Sequence, residues 1–282
     1  MPETGNSRMS EYQKDNSFDL NNTSAYKLSI QISLDGFSFF ILDDNNNRLL
    51  AWKKTTVTIS NENFISRRFT EWQESEELLK KDFRQVEVMY FSPQFTWVPQ
   101  NYYQKEKNYR LFETLFPETE SQKLISVPAT DSNDRLLFAV PVDLTDFIKQ
   151  SFNNLSLNHP VCALLKGLEQ ADSELDNCLT VWIGVKDFYL VVKKNKKVQV
   201  INVFSYIAGN DILYYIISAL KQLEISPNKS HLFLSGRLDK VGDLIVKINA
   251  YFAEVDYLGP NKELRFNPEN VVIPKHQLIS LF

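Results

Sequence analysis

The chain has 282 residues, 43% of them apolar and 13% aromatic, enough to bury the core of one large domain or two of ordinary size. A net charge of −4 and an isoelectric point near 5.6 argue against a general nucleic-acid binder, which needs a basic face for phosphates. Eight glycines do not suit a protein built on Gly-rich phosphate loops, and two cysteines, Cys162 and Cys178, do not make a disulfide framework.

Residues 1–25 contain no apolar stretch of the signal-peptide kind and read as a solvated, disordered tail. No apolar run reaches the ~18 residues of a membrane-spanning helix, so the expectation is a cytoplasmic protein without membrane insertion. Residues 28–34 alternate in a β-rich pattern, Asp35-Gly36 signals a hairpin turn, and residues 37–42 form the returning strand. DDNNN turns the chain again, and 48–59 read as a third strand. Phe64, Phe69, Trp72, Leu78 and Leu79 give 62–82 a helical rhythm. Strands are expected at 86–91 and 95–99, and a helix over 100–116. Strands at 123–129 and 136–142 each hold a proline that suggests an edge or an end. A helix over 145–153 follows, and 159–170 fits either a strand or a helix.

The second half gives strands at 178–185, 187–194 and 197–206, then a helix, DILYYIISALKQLEI, begun by Asn210 or Asp211 and closed before Pro227. HLFLSG (231–236) reads as a buried strand, 238–252 as a helix and 253–258 as a strand. VVIPKHQLISLF is expected to form a short strand and a helix. The order is β-β-β-α-β-α-β, which implies a mixed sheet covered by helices.

The two halves open alike. Residues 28–50 align with 179–201 without a gap, and Leu28/Leu179, Ile32/Ile183 and Phe37/Phe188 are identical. The expectation is a duplicated unit, with lobes at 26–176 and 177–282.

Three strands, a helix and a strand ending in a glycine motif resemble the lobe order of the actin-like ATPase and sugar-kinase superfamily. There the first hairpin of each lobe carries a phosphate motif, and a later strand ends in a Gly-Gly element beside the adenosine. IQIS and VWIG stand where the phosphate motifs would stand. HLFLSGR (231–237) resembles the adenosine-side element, and GNDILYYIISAL the helix before it. Over residues 26–282 the chain also resembles a family of uncharacterised bacterial proteins, typical of the Bacteroidetes, that is associated with an actin-like ATPase fold. The resemblance implies two lobes of α/β class, actin-like or ribonuclease H-like, each a mixed sheet flanked by helices, with a cleft between them.

In active members the first hairpin's acid helps position Mg²⁺, the second hairpin usually carries another acid, and glycines let backbone reach the phosphates. Aligned with that pattern, Gln31 takes the first acid's place and Trp182 the second; Ser33 and Gly184 take the glycine places. A register shift could bring in Asp35 or Asp187, which fit better as turn residues. The adenosine-side element is Ser235-Gly236-Arg237, not a glycine pair. These departures point to a non-catalytic binding or scaffolding module without a cofactor, working through an unidentified protein partner. The alternative is a divergent nucleotide-binding ATPase or small-molecule kinase, which would take ATP and Mg²⁺.

Other chemistry is weak. His159, His231 and His276 lack metal-ligand spacing, and His231 reads as a surface or hydrogen-bonded residue. Cys162 and Cys178 read as buried thiols. ATDSND (129–134) reads as a turn, KKNKK (193–197) as a solvated hairpin tip, and the five aromatic residues of 91–104 as core contacts rather than a peptide groove.

Overall fold

A computed structural model describes residues 9–117, 121–129, 134–171, 175–238, 241–259 and 265–266. The expectations for ATDSND beyond its end residues, for His276 and for VVIPKHQLISLF lie outside these residues. The chain divides into two compact units: described residues up to Pro160 with Arg265 and Phe266, and Val161 to Gly259. The division falls at the first turn of a helix, where the sequence placed it near 176.

The first unit runs β1 (Met9–Lys14), β2 (Lys27–Ser33), β3 (Gly36–Asp43), β4 (Arg48–Thr56), α1 (Ile65–Ser75) and β5 (Gln85–Tyr90). Then come β6 (Phe95–Val98), α2 (Lys105–Leu115), β7 (Gln122–Pro128), β8 (Arg135–Pro141), α3 (Val142–Ser151) and β9 (Leu155–Asn158). The second unit runs α4 (Pro160–Ala171), β10 (Cys178–Ile183), β11 (Asp187–Lys194), β12 (Lys197–Ser205), α5 (Gly209–Gln222), β13 (His231–Gly236), α6 (Gly242–Tyr251) and β14 (Glu254–Tyr257).

The first sheet has the order β1-β4-β3-β2-β5-β9 and the second β12-β11-β10-β13-β14. Apart from β1 the orders are the same: third, second, first, fourth and fifth strand, with the last two joining parallel. The duplication extends to register. Ile32 pairs with Phe37 and Ile183 with Phe188. The pairing of the second and third strands shifts between Ile41 and Leu42 in one unit, and between Val192 and Lys193, the positions aligned with them, in the other. Two unrelated amphipathic hairpins have no reason to share a bulge.

One face of each hairpin is packed by helices. Phe37 and Phe39 meet Trp72 of α1 at 5.3 and 6.1 Å, and Phe69 lies 5.5 Å from Phe37. Trp72 Nε1 donates to Thr55 Oγ1 at 3.0 Å. In the second unit Leu179, Val181, Ile183, Phe188 and Leu190 share a core with Ile212, Ile216 and Leu220 of α5 and with Leu244 and Ile248 of α6. The units differ by an insertion: β6, β8 and β7 form a separate antiparallel sheet with α2, whose core holds Val98, Phe112, Leu137 and Ala139. Of the aromatic run Phe91 and Phe95 are buried, Trp97 and Tyr103 part-buried and Tyr102 exposed.

Two expectations need correction. Met9–Lys14 are not disordered tail: they pair with β4, Glu11 opposite Lys54, and Gln13 Oε1 accepts from Trp52 Nε1 at 3.3 Å. Beyond them Asp15 and Phe18 are buried, Phe18 beside Tyr26. The helix expected over 62–82 is broken, because Glu76 is extended and Ser75 Oγ donates back to the Trp72 carbonyl at 2.7 Å. Of the two readings open for 159–170 the structure takes the helix, from Pro160 onward, and it adds β9 before that helix.

Gly236 carries a specific constraint. It has φ +89°, and a Cβ there would lie 2.2 Å from the Ile183 carbonyl oxygen. Gly242, opening α6, has nothing within 4 Å of its Cβ position. Gly236→Ala is expected to cost about 2–4 kcal/mol, whereas Gly242→Ala is expected to stay within about 1 kcal/mol of wild type. Denaturant unfolding of both variants checks this; equal midpoints would contradict it.

Candidate functional site

In open α/β sheets ligands gather outside the carboxyl ends of the parallel strands. In the first unit those are the ends of β2 and β5. Gln31 lies on β2 between Ser38 and Met89, and its Oε1 accepts from Ser38 Oγ at 3.2 Å. Ser33 closes the hairpin: its hydroxyl donates to the Gly36 carbonyl at 3.3 Å and accepts from the Asp35 amide at 3.2 Å. Asp35 sits in the turn, its carbonyl taking the Val57 amide at 3.3 Å. Gly36 has φ +127° at the turn into β3, and a Cβ there would lie 2.2 Å from the Thr55 carbonyl oxygen of β4.

In the second unit the corresponding ends are those of β10 and β13. Trp182 stands between Tyr189 and Ser235, with its ring edge-on to Tyr189 at 5.7 Å. Ser235 is fully buried. The Gly184 amide donates to the Asp187 carbonyl at 2.8 Å, and its carbonyl accepts from Tyr206 Oη at 2.6 Å. The Arg237 amide donates to the Ile183 carbonyl at 2.7 Å. The missing side chain at Gly236 thus serves a close strand–strand approach. Gln31, Ser33 and Asp35 belong to one unit, and Trp182, Gly184, Ser235, Gly236 and Arg237 to the other.

The internal symmetry exposes a residue that sequence reasoning missed. Tyr90 pairs with Ile32 as Gly236 pairs with Ile183, and the Phe91 amide reaches the Ile32 carbonyl at 3.0 Å as that of Arg237 reaches Ile183. So the first unit's counterpart of the glycine is a buried tyrosine. It lies near Glu62, in the 3-10 turn before α1, whose Oε2 accepts from Gln122 Nε2 of β7 at 3.1 Å. Burial pushes the Glu62 carboxyl above the usual carboxylate range, and the Tyr90 and Gln122 hydrogen bonds oppose that rise. Only the strand alignment, not a motif, could have flagged Tyr90.

Elsewhere the titratable groups do structural work. His231 Nδ1 lies 3.0 Å from Glu254 and Nε2 2.7 Å from Asp256, and the ring stacks on Phe233, so it ties β13 to β14. Cys162 and Cys178 are free and buried. Asn195 and Lys196 both have positive φ, as a two-residue hairpin turn needs. Among the described residues no three His, Cys, Asp or Glu side chains are placed to hold a metal ion. A groove of about 420 Å³ opens between α2 and β7, lined by Lys105, Tyr109, Phe112, Glu113, Gln122 and Lys123.

Two α/β units with this strand order define an actin-like ATPase fold. The closely matching structures agree: a Bacteroides thetaiotaomicron VPI-5482 protein with actin-like ATPase fold and unknown function superposes with a TM-score of 0.77 at 19% identity, covering 86% of this chain and 94% of that one. A chain of the PilM–PilN type IV pilus biogenesis complex gives 0.55 at 15% identity, over 83% and 88%. None of the curated proteins matches the chain. By sequence the chain belongs to a family described as "Protein of unknown function (DUF3822)", whose model matches residues 15–255.

His159, at the end of the first unit, is fully buried. Its rings of contact are Phe95 at 4.8 Å and Phe138 at 5.1 Å, and its Nε2 donates to the Ser92 carbonyl at 2.9 Å. Burial pushes its pKa down from 6.5 to about 3, against the Ser92 hydrogen bond. The unfolded chain therefore takes up this proton at a higher pH than the folded one. Stability from this site is complete above pH 6.5 and is lost as pH falls toward 3, by at most about 1.4 kcal/mol per pH unit. His159→Gln keeps a donor and removes the titration, so its stability is expected to fall less steeply over that window. Parallel pH profiles of unfolding free energy for the two proteins would contradict this.

Proposed function

We propose that this protein is a non-catalytic, actin-like binding or scaffolding module that acts through a protein partner. The observation that carries the reading is Trp182. It takes the place that the family resemblance gives to the second hairpin's acid, cannot ligate a metal, and packs its ring against Tyr189. Gln31, neutral and bonded to Ser38, supports it in the first unit. Ser33 and Gly184, at the positions where glycines would free the backbone for phosphates, have their polar groups committed to turn hydrogen bonds. Hydrolysis of a nucleoside triphosphate depends on carboxylate-held Mg²⁺ and open backbone donors, and these replacements supply neither. The match to a chain from the PilM–PilN complex lends support by analogy, since a chain of this architecture occurs there in a protein assembly.

A thermal melt tests the reading. Ligand at 100 times its dissociation constant stabilises the folded state by about 2.7 kcal/mol. The expected result is an unchanged melting temperature in millimolar ATP and Mg²⁺. A clear upward shift that needs both would overturn the proposal in favour of a divergent ATPase or small-molecule kinase.

A further inference from the structure

Among the described residues the internal duplication leaves one strand without its counterpart's neighbour. In the first sheet the outer edge of β4 is covered by β1, antiparallel, from Ala51 to Thr56. The corresponding strand of the second sheet is β12, and the positions matching Ala51 and Thr56 are Val200 and Ser205, because Ile41 pairs with Ala51 as Val192 does with Val200, and Gly36 with Thr56 as Asp187 does with Ser205. Among the described residues nothing pairs with the outer edge of β12.

Free edges are ordinarily blunted by charges, prolines or short length. β12 is nine residues long, and from Val198 to Ser205 it holds no charged residue and no proline. Its irregularity, at Gln199, lies before the segment in question, as the one in β4 lies before the part that β1 covers. The Val203 amide is met at 2.9 Å by the side-chain oxygen of its own neighbour Asn202, a bond that a paired strand would replace. β4 offers Lys54 to Glu11 of β1, so its edge selects a charged strand. The edge of β12 has no such requirement.

We propose that β12 pairs antiparallel with β12 of a second copy of this chain, about a two-fold axis at Asn202. That register sets Val200 against Phe204 and Ile201 against Val203, apolar against apolar on both faces, with Asn202 opposite itself. Centring the axis on Val203 instead would set Asn202 against Phe204 and Ile201 against Ser205. An axis perpendicular to the sheet keeps like faces together, so α5 of each copy lies on the same face of the joined sheet. Exposed apolar surface lies close by: Ile207, just past β12, is 99% exposed, and Tyr214 contacts Tyr215, which stacks on Phe204 at 4.5 Å. The inference is independent of whether the protein binds a nucleotide.

Sedimentation of the full chain at tens of micromolar is expected to give a dimer. Asn202 is exposed, so Asn202→Lys and Asn202→Glu should fold, each placing like charges face to face at the axis. Each alone is expected to be a monomer with native circular dichroism, and mixing the two should restore a dimer. Asn202→Cys is expected to give a disulfide-linked dimer under mild oxidation, since directly opposite residues fall within bridging distance and the native cysteines are buried. A monomeric wild type overturns the proposal, whether or not another protein occupies the edge. So does a dimer that both charges leave intact, or an Asn202→Cys protein that stays unlinked.

Discussion

The strands β3 and β11 are buried on both faces along nearly their whole length, although they belong to antiparallel hairpins that in many proteins face water on one side. A slip of one residue would exchange the two faces of a strand. The chain therefore has to fix the register of each first hairpin closely, and it does so with backbone devices: the Ser33 and Gly36 turn in one unit, the Gly184 to Asp187 turn in the other, and the matching bulge in both. Once that register is set, the crossover through α1 or α5 delivers the parallel strand to one side only, and the strand order follows.

The same constraint explains what happened at the strand ends. β13 brings residue 236 against Ile183 in a positive-φ conformation that excludes a side chain, while β5 pairs with Ile32 through Tyr90, whose φ is not positive. The tyrosine fills its surroundings and places a phenol near Glu62. Glycine at 236 is thus accounted for by packing, without a ligand. Trp182 and Gln31 are likewise part-buried on their strands and have neighbours of their own. Chemistry and packing compete for the same few residues at these ends, and the observed residues favour packing.

The elements with strong periodicity were legible from sequence. The order β-β-β-α-β-α-β of the second half matches the observed elements, and so does the alignment of the two hairpins. β1 was not legible, because a polar hexapeptide becomes a strand only when β4 offers it an edge. β9 has four residues and is ordered by pairing with β5. The inserted sheet was seen as separate strands, since nothing local says that β6 joins β8 across α2 and β7. The turn role of Asp35 could be read from Asp35-Gly36. The position of Tyr90 could not, because it depends on the register between strands 58 residues apart.

The central claim is that these strand ends are occupied by packing side chains and turns in place of a magnesium–triphosphate site. Equilibrium dialysis of the full chain against labelled ATP with Mg²⁺ measures this most directly. The account predicts no saturable binding up to millimolar nucleotide. One equivalent bound with micromolar affinity, and lost when Mg²⁺ is removed, would contradict it.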